Sequence, residues 1–92
     1  MGQSNIFLKD PQSVVDFKVD LSDWLQPGES IISITATATA GLTVDSSSSD
    51  ATGVLAWISG GTVNEDYELT FQWSTDQGRT EEQTLLILVR NK

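Results

Sequence analysis

The 92 residues include no cysteine and no histidine, which excludes disulfides, zinc–thiolate sites and every catalytic arrangement built on an imidazole base. Five basic residues against thirteen acidic ones give a net charge of −8, which disfavours partners such as nucleic acid or an anionic membrane surface. With 38% hydrophobic and 20% charged residues, the composition is that of one small folded domain, expected to hold by packing and backbone hydrogen bonds in the absence of disulfides or metal.

Residues 1–11 read as an N-terminal extension carrying an apolar plug, Ile6-Phe7-Leu8, ended by Lys9-Asp10-Pro11; residues 12–92 read as the domain proper. Phe17, Val19 and Leu21 then alternate with Asp16, Lys18 and Asp20, the pattern of a half-buried strand. Asp23-Trp24-Leu25 has room for one helical turn at most, and Gln26-Pro27-Gly28-Glu29 supplies a tight turn, with Pro fixing φ and Gly accepting a positive one. Residues 30–40 predict a second strand, rich in Thr and Ile and ended by Gly41. A third begins at Leu42-Thr43-Val44, and the serines 46–49, flanked by Asp45 and Asp50, are expected to close it as a hairpin loop. Residues 54–59 predict a fourth strand, stopped by Gly60-Gly61.

The fifth strand, residues 66–75, has the clearest pattern: Tyr67, Leu69, Phe71 and Trp73 on one face, Glu68, Thr70, Gln72 and Ser74 on the other. Asp76-Gln77-Gly78 forms a hairpin turn, and residues 84–90 the last strand, with Leu85, Ile87 and Val89 on one face and Leu86 and Leu88 on the other. Six or seven strands at spacings of about 8 to 12 residues, without a sustained helical period, predict an all-β fold, an immunoglobulin-like antiparallel β-sandwich. Tyr67, placed at the start of its strand after a glycine-containing connection, is positioned to bond its hydroxyl back to the upstream backbone as a tyrosine corner.

The chemistry open to such a chain is narrow. Ser59 near Gly60-Gly61 does not form a G-x-S-x-G elbow, and no phosphate-cradling glycine loop is present. Abundant carboxylates could in principle cleave a glycoside, yet a sandwich this small leaves little room for a cleft, and the acidic residues read as solvated surface. Asp16, Asp20 and Asp23 lack the dense spacing of a calcium loop and read the same way. No enzymatic activity, cofactor or metal is therefore expected. No window resembles a transmembrane or signal segment, and Ile6 stands where a myristoylation motif needs Ser or Thr, so the chain reads as intracellular when made.

Apolar groups without an evident place in the core remain. Ile6, Phe7 and Leu8 in the extension, Trp24 in a connection, Trp57 on a strand with two apolar faces, and Leu86 and Leu88 on the last strand form the candidate protein interface. Either the neighbouring sheet covers them or a partner does.

The order of short motifs adds a resemblance. Lys9-Asp10-Pro11, Asp16-Phe17-Lys18-Val19-Asp20, Gly28-Glu29-Ser30-Ile31 and Ala40-Gly41-Leu42-Thr43-Val44 are followed by Trp57-Ile58-Ser59-Gly60-Gly61-Thr62, Tyr67-Glu68-Leu69-Thr70 and Gly78-Arg79-Thr80. In this order the chain resembles the small immunoglobulin-like virion proteins of tailed bacteriophages known as fiber–tail adaptor proteins. The resemblance implies a non-enzymatic virion structural protein in several copies, assembled in the host cytoplasm, that docks a fiber or another tail or connector protein onto the particle. It carries no catalytic residue. The alternatives are a capsid decoration protein or a freestanding carbohydrate- or ligand-binding sandwich that would use Trp24 or Trp57 as a stacking platform.

Overall fold

Period-two alternation sorts the side chains of each strand into an inner and an outer set, and two sheets close over the inner sets. The computed structural model describes residues 6–91. Among them seven strands form: β1 (Ile6–Lys9), β2 (Val15–Asp20), β3 (Ile31–Ala38), β4 (Leu42–Ser49), β5 (Gly53–Gly60), β6 (Asp66–Thr75) and β7 (Thr80–Val89). One sheet has the order β1-β7-β6-β3 and the other β2-β5-β4. In chain order this is the immunoglobulin arrangement, with β2, β5 and β4 facing β3, β6 and β7. Every pair is antiparallel except β1 with β7, which is parallel. The first strand connects to the opposite sheet rather than through a hairpin, so it enters beside the last strand in the same direction.

The core is the meeting of these inner sets. Val19, Leu21, Val54, Ala56 and Ile58 from one layer meet Leu69, Phe71, Trp73, Leu85, Ile87 and Val89 from the other, all essentially inaccessible to solvent. Asp16, Lys18 and Asp20 point outward, as their alternation requires.

Three local readings change. The serines 46–49 lie inside β4, not in a loop, and pair with Val54 to Trp57 of β5. The turn falls later because the Asp50 carboxylate accepts hydrogen bonds from the backbone N–H of Thr52 (2.8 Å) and Gly53 (2.9 Å), which closes the hairpin there. The last strand begins at Thr80, not four residues on; its first half, Thr-Glu-Glu-Gln, is polar on both faces and hides the period, while its backbone pairs with β6 throughout. The segment read as an extension supplies β1 from Ile6 to Lys9, and residues 1–5 lie outside the described residues. The short turn at Asp23-Trp24-Leu25 forms, with the N–H groups of Trp24 and Leu25 both donating to the Leu21 carbonyl.

The tyrosine corner is present. The Tyr67 hydroxyl accepts a hydrogen bond from the Thr62 N–H at 2.9 Å. Its ring lies against Gly41, where φ is +110° and a β-carbon would come within 2.7 Å of the Tyr67 ring, so only glycine fits the turn between β3 and β4. Replacing Tyr67 by Phe keeps the ring and leaves the Thr62 N–H unmet, at a cost of about 1 kcal/mol. For a domain of this size that lowers the thermal midpoint by about 4–8 °C, measurable by circular dichroism, and an unchanged midpoint would show the hydroxyl to be dispensable.

Candidate functional site

Parallel register between β1 and β7 sets Ile6 beside Leu86 and Leu8 beside Leu88. All four side chains share the outer face of the four-stranded sheet, because Phe7 and Lys9 alternate inward with Ile87 and Val89. Ile6 and Leu8 are each 56% exposed, and Leu86 and Leu88 are half-buried. The next strand places Glu68 opposite Leu86 and Asp66 opposite Leu88. The result is a two-by-two apolar stripe with a carboxylate border, and the Arg90 guanidinium 3.0 Å from Asp66 at one corner.

The strand carrying this stripe is held to both sheets. Phe7 meets Phe17 of the opposite sheet edge-on, with ring centroids 5.5 Å apart. Lys9 is buried, and its Nζ donates to the Gly60 carbonyl at 2.7 Å and the Asp10 carbonyl at 2.9 Å. Burial pushes the Lys9 ammonium pKa down, while Asp10 and Asp45 raise it in part. A buried lysine spent on two carbonyls fixes the end of β1 over the end of β5, so Ile6 and Leu8 stand on a defined strand.

The other residues singled out from the sequence lie elsewhere. Phe7 belongs to the core side of β1 rather than to the stripe. Trp57 points outward from β5, the central strand of the three-stranded sheet, 41% exposed between Asp16 and Ser46. It therefore sits on the opposite face of the sandwich from the stripe. Trp24 is half-buried, edge-on to Trp73 at 5.8 Å, with the Arg79 guanidinium 3.8 Å over its ring. That cation covers a face that a stacking ligand would need.

Arg79 belongs to a network that sequence reasoning did not single out. Its Nε donates to Glu29 Oε2 at 2.8 Å, its Nη2 donates to Glu29 Oε1, and Nη2 also reaches the Trp24 carbonyl at 2.9 Å. Thr75 Oγ1 donates to Glu29 Oε2 at 2.6 Å, and the Gln26 N–H donates to Oε1 at 2.9 Å. The Glu29 side chain has no solvent exposure. Hydrogen bonding from Arg79 first, then from Gln26 and Thr75, outweighs burial and holds the Glu29 carboxyl at about 2. The available signal was that Glu29 and Arg79 each adjoin a glycine turn, but their separation of 50 residues conceals the pairing.

Two sheets of immunoglobulin order with a tyrosine corner and no disulfide define an immunoglobulin-like module of the cysteine-free kind. Within that class, the chain belongs to the family described as Podophage GP4 fiber-tail adaptor protein gp77, whose family model matches residues 9–88. Membership makes it a structural adaptor of a phage tail and so a component of the virion. No curated protein matches the chain. The matched stretch takes in Lys9 with Gly60, Glu29 with Arg79 and Thr62 with Tyr67, together with Leu86 and Leu88, and starts just after Ile6 and Leu8.

The Glu29 network has a pH signature. Because the folded-state value of about 2 lies below the ordinary 4.5, the carboxylate stabilises the fold fully above pH 4.5 and loses that contribution as pH falls towards 2. Asp50, held at about 2 by Thr52 and Lys18, titrates over the same window, so Glu29 is isolated by comparison with Glu29→Gln. The difference in thermal midpoint between wild type and Glu29→Gln is expected to be widest above pH 4.5 and to shrink steadily towards pH 2. A difference that stays constant across that range would mean the carboxylate charge is irrelevant to the network.

Proposed function

We propose that this tail adaptor acts by contact alone, docking a fiber or neighbouring tail protein through the stripe of Ile6, Leu8, Leu86 and Leu88, in several copies per particle. It is made in the host cytoplasm and joins the particle there. The observation that carries this reading is the register of β1 on β7, which gathers four apolar side chains on the outer face of one sheet edge. Two of them are more than half exposed on a strand too firmly held to fold them inward. Contiguous apolar surface of this kind, rimmed by polar groups, marks a protein contact. The carboxylates of Asp66 and Glu68 along its border suit a partner that presents an apolar ridge flanked by Lys or Arg. Phe7 supports the stripe from the core side, while Trp24 and Trp57 lie outside it.

The variant Leu8→Glu/Leu86→Glu tests this directly. Both positions face outward, but Leu86 is half-buried and a glutamate there stands opposite Glu68, so a loss of about 1 kcal/mol is expected with the fold retained. The circular dichroism spectrum should therefore stay that of the wild type, with the thermal midpoint lowered by about 4–8 °C, while the protein is lost from tail particles recovered by sedimentation. Incorporation at wild-type level by the well-folded double variant would remove the stripe from the docking surface.

A further inference from the structure

Between Ile31 and Ser49 the chain carries one charged residue, Asp45, although five basic and thirteen acidic residues are spread over the whole sequence. This neutral stretch is β3, a tight turn and β4, and each of the two strands ends its own sheet. The edges on the opposite side of the sandwich differ. Strand β2 alternates Asp16, Lys18 and Asp20 along its outer face, and β1 is four residues long and followed at once by Asp10. Charges and short length are the usual devices that keep a sheet edge from pairing with another chain. Over its eight residues β3, IISITATA, has neither charge nor proline and only one irregularity, at Ile31/Ser33.

The backbone of β3 also presents an open ladder. The Thr39 N–H donates to the Glu68 carbonyl, so by antiparallel alternation Thr37 and Thr35 turn their N–H and C=O groups towards Thr70 and Gln72 of β6. On the far side of β6 the Thr75 N–H donates to the Arg79 carbonyl, which fits the same alternation. Ile34, Ala36 and Ala38 therefore direct their backbone groups off the free edge, where no backbone partner meets them among the described residues. The outer face beside them is Thr70, Gln72 and Ser74, also uncharged. At the bulge Ile32 is 66% exposed.

We propose that β3 pairs antiparallel with β3 of a second copy of this chain about a two-fold axis, joining two four-stranded sheets into one continuous sheet. The chain's own charge selects the occupant. At a net −8, two copies repel wherever carboxylates oppose; the carboxylates bordering β3 in its own sheet, Asp76 beside Ser30 and Glu68 beside Thr39, lie at its two ends, and the strand between them carries none. A basic partner would be drawn to the acidic surfaces, not to this neutral one. Identical antiparallel strands satisfy a two-fold contact by construction, each free N–H meeting the carbonyl of its mate. In the second layer β4 contacts β3, and its one charge, Asp45, accepts a hydrogen bond from Ser59 Oγ of β5 at 3.1 Å. The docking stripe lies on β1 and β7 at the other side of the sheet, so pairing through β3 leaves it open and gives the pair two stripes.

Sedimentation equilibrium of the full chain from about 1 μM to about 1 mM spans the affinities expected of a small seam. The intact protein is expected to move from its 10.0 kDa monomer to twice that mass. Ala36→Pro removes an N–H that points away from β6, which an edge strand tolerates, and should remain monomeric throughout with its fold intact. Thr35→Lys places like charges near each other across the seam and should also remain monomeric, so it decides the matter should the proline variant fail to fold. An intact chain that stays monomeric at the highest concentration overturns the proposal, as does a dimer that persists in Thr35→Lys. Because both variants leave the stripe untouched, loss of tail incorporation in Leu8→Glu/Leu86→Glu with dimerisation retained separates failure of one reading from failure of the other.

Discussion

The arrangement rests on one buried carboxylate. Glu29 sits in the connection between the two sheets with its side chain closed off from water, and an ionised group there is tolerable only if its oxygens are fully bonded. Arg79, Thr75 and the Gln26 N–H meet that demand from two separate parts of the chain, the β6–β7 hairpin and the turn before β3. The same guanidinium spans the Trp24 ring and holds the Trp24 carbonyl, so Trp24 is pressed edge-on against Trp73 at that end of the core. Removing Arg79 would leave Glu29 with only the Thr75 and Gln26 donors, and removing Glu29 would leave Arg79 with only the Trp24 carbonyl, so either loss loosens the clasp on Trp24.

Two further polar ties work at the opposite end, and the pattern suits a chain without disulfides. The Tyr67 hydroxyl holds the Thr62 N–H, and Lys9 holds the Gly60 carbonyl, both at the connection that leaves β5. A domain of this length buries a smaller fraction of its surface than a larger one, so its margin from apolar burial is modest. Directional bonds that cross between elements remedy this by fixing how the layers sit, which nondirectional burial does not specify. Lys9 bears most on the proposed docking stripe, since it ties down the end of the strand from which Ile6 and Leu8 emerge.

What the sequence disclosed and what it concealed divide along the distance between interacting residues. The tyrosine corner joins residues five apart and could be placed from the local order of glycine, connection and tyrosine. The alternation of β6, and the outward aspect of Asp16, Lys18 and Asp20, followed from period two within one strand. The serines of β4 misled because serine favours loops, while their pairing is fixed by the Asp50 turn beyond them and by the β-branched and aromatic residues of β5 opposite. Trp57 and Leu55 could face either way on a strand apolar on both sides; the smaller Ala56 and Ile58 face inward because Phe17 and Val15 of β2 already fill that side. The stripe itself needed the register of β1 on β7, a pairing across nearly the full chain that no local pattern encodes. Its residues were named individually, and only the fold brought four of them together.

The surface that results is divided by chemistry. Carboxylates line the outer face of β2 and the border of β6, apolar side chains gather at the β1–β7 side, and uncharged backbone lies open along β3. For an adaptor this division has a use. Under the proposed docking and pairing, net negative charge disfavours contact wherever carboxylates oppose, so the neutral and apolar regions gain selectivity from the repulsion around them. A contact confined to one edge can then form without competing with a contact at the other, since the rigid four-stranded sheet lies between. The ionisable groups with clearly displaced pKa values, Glu29 and Lys9 among them, hold the strands in place. The buried polar ties thus fix the shape of the sheets, and under the proposed function it is the shape and chemistry of their edges that an assembling tail reads.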